Sequence, residues 1–121
     1  MWYKARVTPL TASVTVEGSY ILVELAGEAD VTGIQALNAL LEAETSKRPA
    51  LLIIEMSALR YMDSAALHTI LRAHLVLAKA GGRLALVSPR DAVARVLHMT
   101  EADQVVPVYA SISDAAAGSG L

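Results

Sequence analysis

The apolar residues of this chain change their period several times, and each change marks an element. Val14 and Val16 alternate with Ser13 and Thr15, Glu17-Gly18-Ser19 has turn composition, and Tyr20 to Leu25 is rich in strand formers. That pattern predicts a hairpin, with Ile21, Val23 and Leu25 on the core face of its second strand and Leu22 and Glu24 on the other. Ahead of it, Trp2, Val7 and Leu10 could add a short strand that Pro9 restricts to an edge or a bend. The polar, glycine-rich Gly27 to Gly33 predicts a loop in which Asp30 or Thr32 can cap the next helix. Ile34, Leu37 and Leu41, with Leu40 beside them, then recur at helical spacing until Thr45-Ser46-Lys47-Arg48-Pro49 stops them. Ala50 to Met56 is apolar without alternation, as a central strand covered on both faces requires.

After a connecting Ser57 to Tyr61, a second helical pattern runs from Leu67 to Ala78 and ends at Gly81-Gly82. Arg83 to Val87 repeats the buried-strand pattern. Ser88-Pro89-Arg90-Asp91 has the composition of a helix start with serine as cap, and Val93, Val96 and Leu97 give that helix a core face. Val105 to Tyr109 predicts a short edge strand, because Pro107 lacks an N–H, and Ser111 to Asp114 opens a brief helix that frays at Gly118-Ser119-Gly120. The order is strand, strand, helix, strand, helix, strand, helix, strand, helix. It defines an α/β domain: a small mixed sheet with an initial antiparallel hairpin, later strands joined by helical crossovers, and about four helices packed on it.

Composition narrows the function. A length of 121 residues is one domain's worth, and with no phenylalanine and one tryptophan the core is aliphatic. The absence of cysteine excludes a disulfide framework, a thiol nucleophile and a cysteine zinc site. A net charge of −2 without a basic cluster argues against nucleic acid or an anionic membrane as partner. Mean hydropathy is +0.47, yet no apolar run reaches the roughly 18 residues of a membrane span, and the amino terminus lacks a secretory apolar core. A cytoplasmic protein is expected.

The stretch that carries chemistry is Met62-Asp63-Ser64-Ala65-Ala66-Leu67, where a buried strand hands over to a helix. An aspartate and serine at a helix start most often serve as a cap. Here the pair follows the end of a buried strand, where open α/β sheets place their sites, with Tyr61 and Met62 at the same rim and small residues leaving the Ser64 hydroxyl accessible. Helix N-termini favour negative charge, so the position suits a phosphate. At 100° per residue, Leu67, Ile70, Leu71, His74 and Ala78 form the core face of the helix, and Ala65, Thr69, Arg72 and Val76 form an under-charged outer face that a partner could cover. His68, His74 and His98 form no metal-binding pattern with carboxylates. Glu28, Asp30, Glu55 and Asp63 lie near strand ends, where they could converge although capping accounts for most of them. Neither glycine stretch has the spacing of a nucleotide-binding loop.

Taken in order, Leu25-Ala26-Gly27-Glu28-Ala29-Asp30, Ile53-Ile54-Glu55-Met56-Ser57, Tyr61 to Leu67, Gly81 to Val87, Arg95-Val96-Leu97 and Val106-Pro107-Val108-Tyr109 resemble the bacterial anti-sigma factor antagonists, which are single STAS domains. The resemblance covers about residues 12–117 and implies one domain, with 1–11 as an extension or extra edge strand and 118–121 as a flexible tail. It implies that Ser64 is phosphorylated by an anti-sigma factor that is also a serine kinase. Asp63 stands beside the acceptor, and Asp30 occupies the family's loop position near it. Three departures stand out: Glu55 in place of aspartate, Ala29 in place of a larger apolar residue, and Ala65-Ala66 in place of serine-glycine. The last removes the neighbouring hydroxyl and leaves Ser64 as the acceptor within the motif.

The function so implied is partner switching in sigma-factor-dependent transcription. The unphosphorylated protein binds the anti-sigma factor through Asp30, Asp63, Ser64, Ala65, Thr69, Arg72 and Val76, and phosphorylation of Ser64 releases it. No cofactor, metal, nucleic acid or membrane insertion is implied, and there is no enzymatic activity of its own. A phosphatase as second partner, and a homodimer through the initial strands, stay open. The rival reading is a STAS-type assembly subunit of a transporter or stress-sensing complex without a phosphorylation switch. An enzyme using Asp30, Glu55 or Asp63 ranks last.

Overall fold

The computed structural model describes residues 8–118. The chain forms β1 (Thr11–Glu17), β2 (Tyr20–Ala29), α1 (Ile34–Thr45), β3 (Leu51–Met62), α2 (Ser64–Lys79), β4 (Arg83–Val87), α3 (Asp91–Met99), β5 (Val108–Tyr109) and α4 (Ile112–Gly118), with short 3-10 turns at Val31–Gly33 and Ala102–Gln104. The sheet order is β1-β2-β3-β4-β5, with β1 antiparallel to β2 and every later pair parallel. The predicted order and mixed sheet are therefore observed, with β3 at the centre.

The unbroken apolar run of β3 follows from its two covered faces. On one, Val23, Leu25, Leu52, Ile54 and Leu86 pack against Leu37 and Leu41 of α1, Ile70 and Leu77 of α2, and Val93 and Leu97 of α3. On the other, Leu22, Leu51, Ile53, Ala85 and Val87 meet Ala115 of α4 with Tyr20, Tyr109 and Ile112. Parallel neighbours joined by right-handed crossovers must carry their helices on one side, which explains why α1, α2 and α3 share the larger layer. The glycine pair closes α2 as expected. Gly81 takes φ +88, and the Gly82 N–H donates to Leu77 O at 2.9 Å.

Boundaries differ where pairing overrode local composition. The residues expected to connect, 57–61, instead continue β3 to Met62, and the expected loop at Gly27 begins only after Ala29. The two stretches pair with each other, Gly27 with Leu59 and Ala29 with Met62, through two register shifts. Leu59 and Met62 are buried there, although Ser57 and Arg60 give the segment a polar look. β5 contracts to two residues behind Pro107. Ser88 is not the cap of α3: it sits at φ 55 and its Oγ donates to Ala110 O at 2.6 Å, while the residue before α3 is Arg90, with no side-chain cap. Ahead of β1, the Glu28 N–H donates to Thr8 O at 3.0 Å, and Pro9 bridges Glu28. Gly27 lies beneath this crossing at φ +90, where a Cβ would run into the Pro9 carbonyl. Of the strand expected from Trp2, Val7 and Leu10, the first two lie outside the described residues and Leu10 is not in a strand; of the tail expected at 118–121, Gly118 instead ends α4 and 119–121 lie outside the described residues.

Candidate functional site

β2 and β3 leave the sheet side by side, and the Asp63 N–H donates to Ala29 O at 3.0 Å, which holds their two exits together. Asp30 follows one exit and Asp63 the other, so both lie at the carboxyl end of the central strands. Asp63 is extended, at φ −93 and ψ 178, and its Oδ1 accepts the Ala66 N–H at 2.9 Å. Asp63 is therefore the cap, and Ser64 is the first residue inside the helix. Ser64 is exposed, as is Ala65.

Asp30 turns its Oδ1 back to accept from the Thr32 hydroxyl at 2.6 Å and the Thr32 N–H at 3.0 Å. These two donors, the hydroxyl first, hold its carboxyl below the usual carboxylate range. Both carboxylates at the strand exits are thus engaged locally, Asp63 by the Ala66 N–H and Asp30 by the Thr32 hydroxyl and N–H. What the site presents is an exposed hydroxyl at the positive end of a 16-residue helix, next along the chain from the capping Asp63, with Asp30 at the neighbouring strand exit. Of the two large residues expected at this rim, Tyr61 is 46% exposed and Met62 is buried. Val31, on the adjoining turn, leaves an apolar side chain 74% exposed there, which its loop composition did not signal.

The expected faces of α2 are corrected by its packing. Its buried stripe is Ala66, Ile70, Ala73 and Leu77, with Leu67 and Thr69 at its flanks, whereas Leu71 and His74 are half-buried and Ala78 is exposed. The cause is α1, which lies against the side of α2 that carries Thr69. The small Ala66 and Ala73 belong to this buried stripe, which a ranking by side-chain hydrophobicity overlooks. Thr69, expected on the partner face, is 5% exposed, and its hydroxyl donates to Ala65 O at 3.1 Å. It lies in the wall of an apolar groove of about 280 Å³ between α1 and α2, alongside Leu41, Arg72, Ala73 and Val76. Arg72 and Val76 are exposed, and Arg72 donates to Asn38 Oδ1 at 3.4 Å.

The remaining candidates do not converge. Glu55 Oε1 accepts the Ser57 N–H at 3.1 Å and its hydroxyl at 2.9 Å, and His98 Nδ1 lies 3.3 Å from Asp103 Oδ2. Among the described residues, no group of three or more His, Asp or Glu side chains is placed to hold a metal ion, and no helix is long and apolar enough to cross a membrane.

With this geometry in place, the family follows: the chain belongs to the STAS domain family, whose model matches residues 11–115. A Thermotoga maritima protein assigned as an anti-sigma factor antagonist is 36% identical over 64 residues, 53% of this chain. The match spans 57% of that relative's length. The crystal structure of an anti-sigma factor antagonist from Mycobacterium paratuberculosis superposes with a TM-score of 0.86 at 26% identity, covering 93% of this chain and 96% of that one. The fold is also that of the anti-sigma factor antagonist SpoIIAA. Its unphosphorylated form gives a TM-score of 0.74 at 20% identity over 87% of this chain and 92% of that one. The phosphorylated form of the Bacillus protein gives 0.68 at 19% over 87% and 96%.

Proposed function

We propose that the chain is an anti-sigma factor antagonist that binds an anti-sigma factor while Ser64 carries a free hydroxyl and releases it when Ser64 is phosphorylated. The observation that carries this reading is the division of labour at the start of α2. Asp63 makes the cap bond to Ala66, so the exposed Ser64 is available to a kinase without cost to the helix. Ser64 is then a substrate of its partner's chemistry, the partner being an anti-sigma factor with serine kinase activity, and the chain is not itself an enzyme. Such an exchange takes place in the bacterial cytoplasm.

The energetics favour a switch in binding over a switch in folding. Phosphate adds a charge of about −1.5 to −2. At an exposed helix N-terminus the dipole favours an anion by only about 0.3 to 1 kcal/mol, and the Asp63 and Asp30 carboxylates oppose it, so the fold absorbs the group with little net change. A partner that covered it without a cation would bury a dianion beside two carboxylates, at a cost of several kcal/mol, and about 4 kcal/mol is roughly a thousandfold in affinity.

The test is to incubate the protein with ATP and kinase-type anti-sigma factors, map the phosphosite by mass spectrometry, and measure partner binding by calorimetry. Ser64→Ala binds without accepting phosphate, and Ser64→Asp and Ser64→Glu fail to bind while staying folded. Normal binding by the acidic variants would sink the switch. Absence of phosphate on Ser64 with every kinase would favour the assembly-subunit reading.

A further inference from the structure

Among the described residues no strand pairs with the outer edge of β1, and we infer that it takes the β1 strand of a second copy of this chain in antiparallel register centred on Val14. β1 pairs with β2 along all seven residues without a bulge, and all seven are exposed. Edge strands are normally blunted by proline, lysine, a bulge or a covering segment. Thr11–Glu17 contains neither proline nor lysine, and its one charge, Glu17, is at the end.

The phase of the backbone fixes which groups are available. Glu17 and Tyr20 close a two-residue turn with Gly18 at φ +61, so they form the hydrogen-bonded closing pair of the hairpin. Alternation along the antiparallel ladder then makes Thr15 and Leu22, Ser13 and Glu24, and Thr11 and Ala26 the bonded pairs. Ala12, Val14 and Val16 are left with their N–H and C=O groups directed away from β2. Paired full-length with its own antiparallel copy, the strand sets Val14 opposite Val14 and Ala12 opposite Val16. Each of these is a pair whose outward groups are in phase, and Glu17 faces Thr11, so no like charges meet.

The side chains fit the same register. Ala12, Val14 and Val16 lie opposite Leu25, Val23 and Ile21, so they stand on the face of the sheet that carries α1, α2 and α3. There Val16 is 68% exposed and Val14 37%. Beside Ala12 is a notch of about 200 Å³ lined by Leu10, Ala36, Leu37 and Leu40. The register that centres Val14 brings the second copy's Val16 alongside Ala12 at this notch, twice by symmetry. Ser64, at the far end of β3, stays exposed in such a dimer.

A single strand pair is a small interface of the kind that forms weak complexes. Sedimentation equilibrium from about 10 μM to about 1 mM is therefore the assay, and the expected result is a mass that rises toward twice 12.8 kDa. Val16→Lys, at an exposed position that the fold tolerates, is expected to weaken association at least tenfold with an unchanged melting temperature. Because the chain has no cysteine, Val14→Cys reports the register. Its copies would sit about 5.5 Å apart at Cα and oxidise to a linked dimer, whereas Glu17→Cys copies would be roughly 20 Å apart and would not. A wild-type chain that stays monomeric throughout overturns the inference. So does equal cross-linking at both positions, or a dimer that appears only after residues 1–7 are removed, which would assign the edge to the chain's own amino-terminal segment.

Discussion

Replacing Asp63 and Ser64 one at a time separates the two roles that their adjacency confuses. Asp63→Ala removes the acceptor of the Ala66 N–H at 2.9 Å in a half-buried setting, and loss of such a cap costs about 1 kcal/mol, within a range of about 0.5 to 2. At about 2.1 cal/mol/K per residue, the unfolding entropy of a chain of 121 residues is about 250 cal/mol/K, so 1 kcal/mol corresponds to about 4 °C in Tm. Ser64→Ala removes an exposed hydroxyl from the first helical position and should stay within about 0.5 kcal/mol, or about 2 °C. Asp63→Asn keeps the acceptor but loses the charge, so it recovers most of the loss if the hydrogen bond dominates. Differential scanning calorimetry at one pH and salt concentration reads all three. If Ser64→Ala lowered Tm as far as Asp63→Ala, the serine would be a structural cap and would not be free for a kinase.

Other outcomes rest on the packing. Thr69→Arg forces a cation into a site 5% exposed against α1 and should lower stability by about 2 kcal/mol or more, whereas Val76→Arg, at a position 50% exposed, should change it by less than about 0.5, both read as urea midpoints at constant slope. Gly27→Ala combines a φ of +90 with a Cβ directed into the Pro9 carbonyl, and should cost more than about 1 kcal/mol by thermal unfolding. Asp30 titrates below the usual aspartate range, so the contact with Thr32 favours the fold above the unfolded pKa and is lost as pH falls through the folded one. In Thr32→Val the hydroxyl donor is gone, and a carboxyl NMR titration should show the Asp30 pKa move upward.

The amino-acid sequence alone determined the elements whose local pattern and burial agree. Leu51 to Ile54 could be stable only with both faces covered, Gly81-Gly82 supplies the left-handed turn that ends α2, and Asp63-Ser64 marks a helix start wherever the chain is placed. Tertiary structure decided what depends on a neighbour's position. Residues 57–62 have no strand period of their own, yet they extend β3 because β2 offers Gly27 to Ala29 as a pairing edge. Ser88 carries the composition of a cap but bonds across to Ala110, since the loop into α3 passes beside the end of β5. For the site, the motif located Ser64, whereas the sequence could not say which of Asp63 and Ser64 makes the cap bond, nor that Thr69 turns inward. A helix's periodicity fixes which residues share a stripe. Which stripe is buried depends on the direction from which α1 approaches, and that is set by the sheet that positions both helices.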